Sequence, residues 1–357
     1  MDIKITKSPT TRINEVDFDN LPFGRTFTDH IFVCEYYDGE WHNPRIEPFH
    51  NFNLHPATMA LHYGQAIFEG MKASIDDNGT PLLFRPERHA HRMNVSATRM
   101  CMPEFPEDLF VDALSKLVYI DQNWIPKEKG SALYIRPTMI ATDEFIGVKP
   151  SQSYKFFIFT GPVGPYYTKP VRLWAETTYI RAAQGGTGFA KAAGNYAGAL
   201  YPAKLAQDRG FDQLLWLDAK EFKYIQESGT MNVFFVINGV TITPPLSGTI
   251  LDGVTRDCIL EILRSEGKQV KEYAITIDEV VQAHKDGTLQ EAFGAGTAAV
   301  VSHVADIGYK DMVMTLPPVS ERKIGNYVKS VIDGLRAGTV TDKWGWIVPV
   351  QVEELVG

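Results

Sequence analysis

Ten residues near the middle of the chain, GPVGPYYTKP (161–170), contain three prolines and two glycines. Proline fixes φ and removes a backbone donor, so such a run interrupts helices and strand ladders alike. The chain therefore reads as two bodies. Residues 1–160 form a smaller N-terminal domain, 161–175 a linker, and 176–357 a larger C-terminal domain. A length of 357 residues is enough for two separate cores.

Both halves mix strands and helices. HIFVCEYYDGEW (30–41), GQAIFEGMKAS (64–74), SALYIRPTMIA and SYKFFIFTG read as strands, and RPERHAHRMNVSATRM (85–100) as a helix. EDLFVDALSKLVYIDQNWI (107–125) is a stronger amphipathic helix, with Phe110, Leu114, Leu117 and Ile120 on one face. After the linker, VRLWAETTYIR is a strand and NYAGALYPAKLAQDRG a helix closed by Gly210. Further strands run from QLLWLDAK through VTITPP, and VTRDCILEILRSEG and SERKIGNYVKSVIDGLRAG are helices. Strands bunched together and helices set apart predict an α+β architecture in each half. In that setting GAGTAA (294–299) is a weak match to a dinucleotide-binding G-x-G-x-x-G/A turn: no strand-turn-helix unit surrounds it.

Several function classes are excluded. The net charge of −8, without any basic run, argues against nucleic-acid binding. No apolar stretch reaches membrane-spanning length, so no membrane is expected. Cys34, Cys101 and Cys258 are odd in number and far apart, which disfavours disulfides and cysteine-rich zinc sites. His89 and His91 read as a helix-surface pair, and no metal is expected. The N-terminus has neither an apolar signal region nor an acid-poor, Arg-rich character, so the expected compartment is the cytoplasm.

Chemistry concentrates elsewhere. GGTGFAKAAGNYAGAL (185–200) places a lone lysine, Lys191, among residues with little side chain, ahead of Tyr196. Glu227 lies in YIQESGTMNVFF, an apolar strand where an acid is costly to bury without a partner. Gly253, Val254 and Thr255 open a helix whose free N–H groups suit an anion, although Thr255 could equally be an N-cap serving only its own helix. A lysine for a Schiff base, an acid for a pyridine nitrogen and N–H groups for a phosphate are together the requirements of pyridoxal phosphate.

GTGFAKAAGNYA followed by QESGTMNVFF resembles the class IV aminotransferases, in particular the branched-chain amino acid aminotransferases. HYGQAIFEGMKA (62–73), LFRPERHAHRM (83–93), ALYIRPTMIATDE (132–144), TGPVGPYY (160–167), ILDGVTRDCILEIL (250–263) and EAFGAGTAAVV (291–301) resemble further blocks of that family, in order. The resemblance implies a two-domain fold-type IV enzyme with the cofactor in the cleft between its domains. Lys191 would carry the covalent bond to pyridoxal phosphate and shuttle the proton. Glu227 would face the pyridine nitrogen, and Tyr196 the phenolic oxygen. Arg92, Val254, Thr255 and Thr297 would hold the phosphate, and Thr230 would shape the turn beside the ring.

For the substrate, the resemblance implies Tyr63 and Phe68 as walls of an apolar pocket, Tyr134 and Arg136 as carboxylate-handling residues, and the N–H groups of Thr297 and Ala298 as receivers of the α-carboxylate. It implies a homodimer that transaminates leucine, isoleucine or valine with 2-oxoglutarate. The alternatives are a D-amino acid aminotransferase, an aminodeoxychorismate lyase or, from a different class, a non-catalytic homodimer of the same fold.

Overall fold

In a computed structural model of the chain, which describes residues 1–165 and 169–351, a strand runs further into the Pro/Gly stretch than its prolines suggest. The strands up to residue 165 are β1 (Lys4–Ile5), β2 (His30–Tyr37), β3 (Glu40–Pro48), β4 (Ala66–Phe68), β5 (Met71–Ile75), β6 (Pro81–Phe84), β7 (Ala132–Ala141) and β8 (Tyr154–Val163). They are accompanied by helices α1 (Met59–Tyr63), α2 (Pro86–Arg99) and α3 (Glu107–Ile120). Next come β9 (Val171–Ala175), α4 (Ala193–Ala197), α5 (Leu200–Asp208), β10 (Gln213–Leu217), β11 (Ile225–Ser228), β12 (Met231–Ile237) and β13 (Val240–Thr243). The chain continues through α6 (Val254–Ser265), β14 (Val270–Glu272), α7 (Ile277–Lys285), β15 (Leu289–Gly296), β16 (Val300–Tyr309), β17 (Met312–Thr315), α8 (Ile324–Arg336) and β18 (Ile347–Pro349).

Pro162 sits inside β8 because that part of the strand has only one neighbour. β8 pairs with β2 as far as Phe159, but with β7 as far as Val163. Beyond Phe159 one side of β8 is an edge, where a missing N–H breaks no ladder. The expected linker is therefore shortened from both ends, with β9 starting at Val171. Tyr166 and Tyr167 of the TGPVGPYY block, and Thr168, lie outside the described residues.

The chain does not divide at a single point. One unit takes Met1–Tyr166, Ala190–Gly194 and Gly334–Gly357, and the other Tyr167–Phe189 and Asn195–Asp333, as far as the described residues reach. Two pairings explain the excursions. Ala192 bridges to Ile67 of β4, and β18 pairs antiparallel with β6.

The first unit is a sheet in the order β1-β3-β2-β8-β7-β5-β6-β18, with β4 on β7. Side chains of α2 and α3 fill one face of its core, where Met93, Ala97, Phe110, Leu114 and Leu117 are buried with Phe32 and Phe156. The expected strand 64–74 is broken at Glu69–Gly70, opposite Pro137 of β7. Pro137 accepts from Glu69 N–H but has no N–H to return, so the ladder lapses there.

In the second unit β11 pairs with both β10 and β12. Six strands, β11-β10-β9-β16-β15-β12, thereby close on themselves, and β13, β14 and β17 extend from the ring. Leu173, Leu215, Ile225, Val233, Phe235 and Ile307 are among its buried core residues. GAGTAA forms the end of β15 and the turn into antiparallel β16, so no helix follows it. The single helix expected over 195–210 is split into α4 and α5, and Gly210, with φ +83°, follows the second.

Candidate active site

Lys191 is fixed by its backbone before its side chain is considered. Its N–H donates to Ser96 Oγ at 2.9 Å, and its carbonyl accepts from Phe68 N–H at 3.1 Å. Ser96 is fully buried on α2. The lysine is thus held as a short extension of β4, with its Nζ 5.2 Å from the Phe68 ring centroid. Arg136 stands 4.5 Å from the same ring and donates to Tyr134 Oη at 2.9 Å. Lys191, Phe68, Tyr134 and Arg136 therefore form one group. Tyr63 lies at the end of α1 and is 41% exposed.

A cavity of about 170 Å³ adjoins this group, lined by Phe23, Phe27, Tyr134, Arg136, Phe159 and Val163 among others. Arg136 Nε is buried and has no hydrogen-bond partner among the described residues. A buried, unmet guanidinium donor beside a cavity with four aromatic side chains in its lining is suited to receive an anionic oxygen. Phe23 and Phe27 were not legible as pocket residues, because nothing in the sequence near them marks a site.

Arg92 is buried on α2, not on the surface, and is paired with Glu69 through Nε at 2.7 Å and Nη2 at 2.8 Å. His89 Nδ1 meets the same carboxylate at 2.8 Å. His89 and His91 are thus not a surface pair: His91 is exposed, whereas His89 is enclosed. Burial would raise the Glu69 carboxyl, but the Arg92 charge and the hydrogen bonds from Arg92 and His89 hold it well below the usual carboxylate range. Burial pushes His89 down despite Glu69, and the charges of Arg92 and Lys191 act in the same direction as burial. The ring is therefore neutral, with its proton on Nδ1 facing the carboxylate.

In the second unit Glu227 is buried on β11. Arg181 Nε lies 2.6 Å from its Oε2, while Asn232 Nδ2 and Leu251 N–H donate to Oε1 at 3.2 and 3.1 Å. Arg181 also donates to the carbonyls of Gly188 and Thr249. That contact explains one small residue of the Gly-rich run: a Cβ on Gly188 would come within 2.7 Å of the Thr249 oxygen. Gly188 is small so that the backbone can close on Arg181 and Thr249, a reason distinct from clearance for a ring.

Glu227 lines a cavity of about 220 Å³ with Tyr196, Gly229, Thr230, Trp216 and Leu251. Asn232 ties this acid to the start of α6. It donates to the Leu251 carbonyl at 2.9 Å, and its Oδ1 occupies the place where a Gly253 Cβ would stand. Gly253 is the N-cap of α6, with no side chain capping the first turn, so Thr255 is the second residue of the helix and not its cap. The N–H groups of Val254 and Thr255 thus retain the anion-binding character of an open helix start. Thr297 and Ala298 lie in the β15–β16 turn.

Sequence reasoning missed Glu69, Ser96, Arg181 and Asn232. Two signals were available: the polar stripe His89, Arg92, Ser96 at helical spacing on α2, and a second acid, Glu69, in an apolar strand.

The chain matches the family model described as amino-transferase class IV over residues 66–307. It is 48% identical to a branched-chain-amino-acid transaminase 1 of Bacillus subtilis over 94% of this chain and 95% of that one. It is 46% identical to branched-chain-amino-acid aminotransferase 2 of the same organism over 96% and 95%. Among solved structures it resembles the branched-chain amino acid aminotransferase from Escherichia coli, with a TM-score of 0.72, 26% identity, and coverage of 91% of this chain and 99% of that one. With a match to the family model that runs from β4 to β16 and such relatives over nearly its whole length, the chain belongs to the class IV aminotransferases.

Proposed function

We propose that the protein transaminates leucine, isoleucine and valine with 2-oxoglutarate in a ping-pong reaction, using pyridoxal 5′-phosphate bound through Lys191. The anchoring of Lys191 by both of its backbone groups carries this reading. It is supported by the 46–48% identity to branched-chain enzymes over nearly the whole chain.

The donor set fits the cofactor. A caged carboxylate that opens on a cavity shared with Tyr196 suits a protonated ring nitrogen and a phenolic oxygen. In the second unit the uncapped start of α6 suits a phosphate dianion; Arg92 and Thr297 are assigned to the same group by their family roles. When bound, the cofactor supplies an electron sink for the pair left on the substrate Cα. Lys191 takes the Cα proton and later returns one. Glu227, paired with Arg181 and oriented by Asn232 and the Leu251 N–H, would hold a proton on the ring nitrogen. Tyr196 donates to the phenolic oxygen, and Thr230 bounds the ring at the Glu227 side.

The substrate side chain enters the cavity lined by Phe23, Phe27, Phe159 and Val163, where Arg136 with Tyr134 receives the distal carboxylate of 2-oxoglutarate, and Phe68 and Tyr63 are assigned to its apolar walls by their family roles. A hydrocarbon side chain contacts the Phe23, Phe27 and Phe159 walls without displacing the guanidinium. The N–H groups of Thr297 and Ala298 receive the α-carboxylate. The protein acts as a homodimer in the cytoplasm.

Purified protein supplied with pyridoxal 5′-phosphate and 2-oxoglutarate should form glutamate from L-leucine, L-isoleucine and L-valine. It should form none from D-alanine. The opposite pattern would replace this reading by a D-amino acid aminotransferase. Lys191→Ala should show no multiple turnover while remaining folded, and sustained turnover in that variant would remove the lysine from its role.

A further inference from the structure

Glu69 has no part in the chemistry described above, yet it is more completely buried than Asp29 or Asp121 of the same unit. It stands at the lapse between β4 and β5, where Pro137 leaves the ladder incomplete. Its two oxygens take two N–H groups of one guanidinium, Arg92 Nε on Oε1 and Arg92 Nη2 on Oε2. Two parallel bonds between planar groups fix a plane, whereas one bond leaves a hinge. Oε2 is itself held by His89 Nδ1 at 2.8 Å and by Gly70 N–H at 3.2 Å.

His89, Arg92 and Ser96 follow one another at helical spacing on α2, and Ser96 fastens the backbone of Lys191. The hold on Arg92 is thus part of the same buried stripe that places the lysine. A lone buried carboxylate or guanidinium would be costly, so the pair is complete before any ligand arrives.

We propose that Glu69 is the positioning residue for Arg92, fixing the plane of its guanidinium so that the phosphate of the cofactor meets a pre-oriented donor, with His89 as a second brace on the same carboxylate. This rests on the assignment of Arg92 to the phosphate. Charge alone makes the opposite prediction. Glu69 neutralises the Arg92 cation, so removing its charge should tighten phosphate binding if attraction were all that mattered. Positioning requires that it weaken.

The test is a titration of cofactor-free protein with pyridoxal 5′-phosphate and, separately, with pyridoxal, which lacks the phosphate. Visible absorbance of the lysine-linked form is the readout. Glu69→Gln removes the charge at constant size, and Glu69→Asp keeps the charge but withdraws it by one methylene. Both should weaken binding of the phosphorylated form by about tenfold or more and leave pyridoxal within about twofold of wild type.

Unchanged or tighter phosphate-form binding in both variants overturns the proposal, as does equal weakening of both forms, which marks a general structural defect. Arg92→Met separates the two levels. If it weakens only the phosphorylated form while the Glu69 variants do not, the positioning role falls alone. If it binds that form like wild type, the phosphate assignment falls and takes the positioning role with it. Should neither Glu69 variant fold, His89→Leu carries the same comparison, with about a threefold loss expected on the phosphorylated form only. Equal losses on both forms, or none, overturn the proposal.

Discussion

Arg181→Met should be among the most destabilising single changes at the Glu227 cage. The contact is short, 2.6 Å, and the side chains are only 11% and 3% exposed. Removing one partner of such a pair strands a buried carboxylate and costs about 3–5 kcal/mol. The lower end applies here, because Asn232 and the Leu251 N–H still donate to Oε1. In a Glu227→Gln background the stranded charge is absent. Losing Arg181 then costs chiefly its bonds to the Gly188 and Thr249 carbonyls, about 1–2 kcal/mol. The difference is a coupling of about 1–2 kcal/mol between the two sites. The assay is urea unfolding of wild type, both single variants and the double variant, all cofactor-free so that ligand binding does not enter. Additive effects, with a coupling under about 0.5 kcal/mol, would mean that the two groups do not constrain each other and that something else sets the charge of Glu227.

Two further outcomes test the cores and the thiols. Phe156→Ala should cost about 3–5 kcal/mol in the same unfolding measurement, because the ring is fully buried and packs on Phe105 at 3.9 Å between centroids; a loss below about 1 kcal/mol would show that the α3 side of the sheet repacks freely. In native protein at pH 8 an alkylating reagent should modify Cys101, which is exposed, and spare Cys34 and Cys258, which are buried; burial pushes the Cys34 thiol up to about 12, so mass spectrometry finding Cys34 labelled without denaturant would contradict its enclosure.

Periodicity made the elements legible where one residue type decided them. Phe110, Leu114 and Leu117 are buried together on α3, as their spacing predicts. It failed where a partner strand decided. Pro162 reads as a breaker, and only the loss of β2 as a neighbour beyond Phe159 makes it tolerable in β8. Glu69–Gly70 reads as mid-strand, and only Pro137 opposite ends the ladder there. The same asymmetry holds in the site. Lys191 and Glu227 stand out locally because a charge among small or apolar neighbours is anomalous. Arg181 does not: the sequence reads it as the last residue of the strand VRLWAETTYIR, whereas β9 ends at Ala175 and the loop beyond it carries Arg181 to Glu227.

Three buried acids follow one rule in this chain. Glu69 is met by Arg92, Glu227 by Arg181, and Glu291 by the backbone N–H groups of Lys323, Ile324 and Gly325 at the start of α8. In each case the acid lies in or beside an apolar strand and its counterpart is more than twenty residues away. The acid therefore announces a requirement that the local sequence cannot satisfy. At Glu291 the N–H groups of a helix start meet it, with the Arg322 charge acting on it as well, an arrangement suited to holding α8 in place. At Glu69 and Glu227 an arginine meets it instead, leaving a charged group of fixed orientation on each partner. A catalytic site has use for such oriented charges because they need not reorganise when charge develops in the reaction. The choice between helix start and arginine thus distinguishes Glu291 from the two acids that the proposed function sets beside the cofactor.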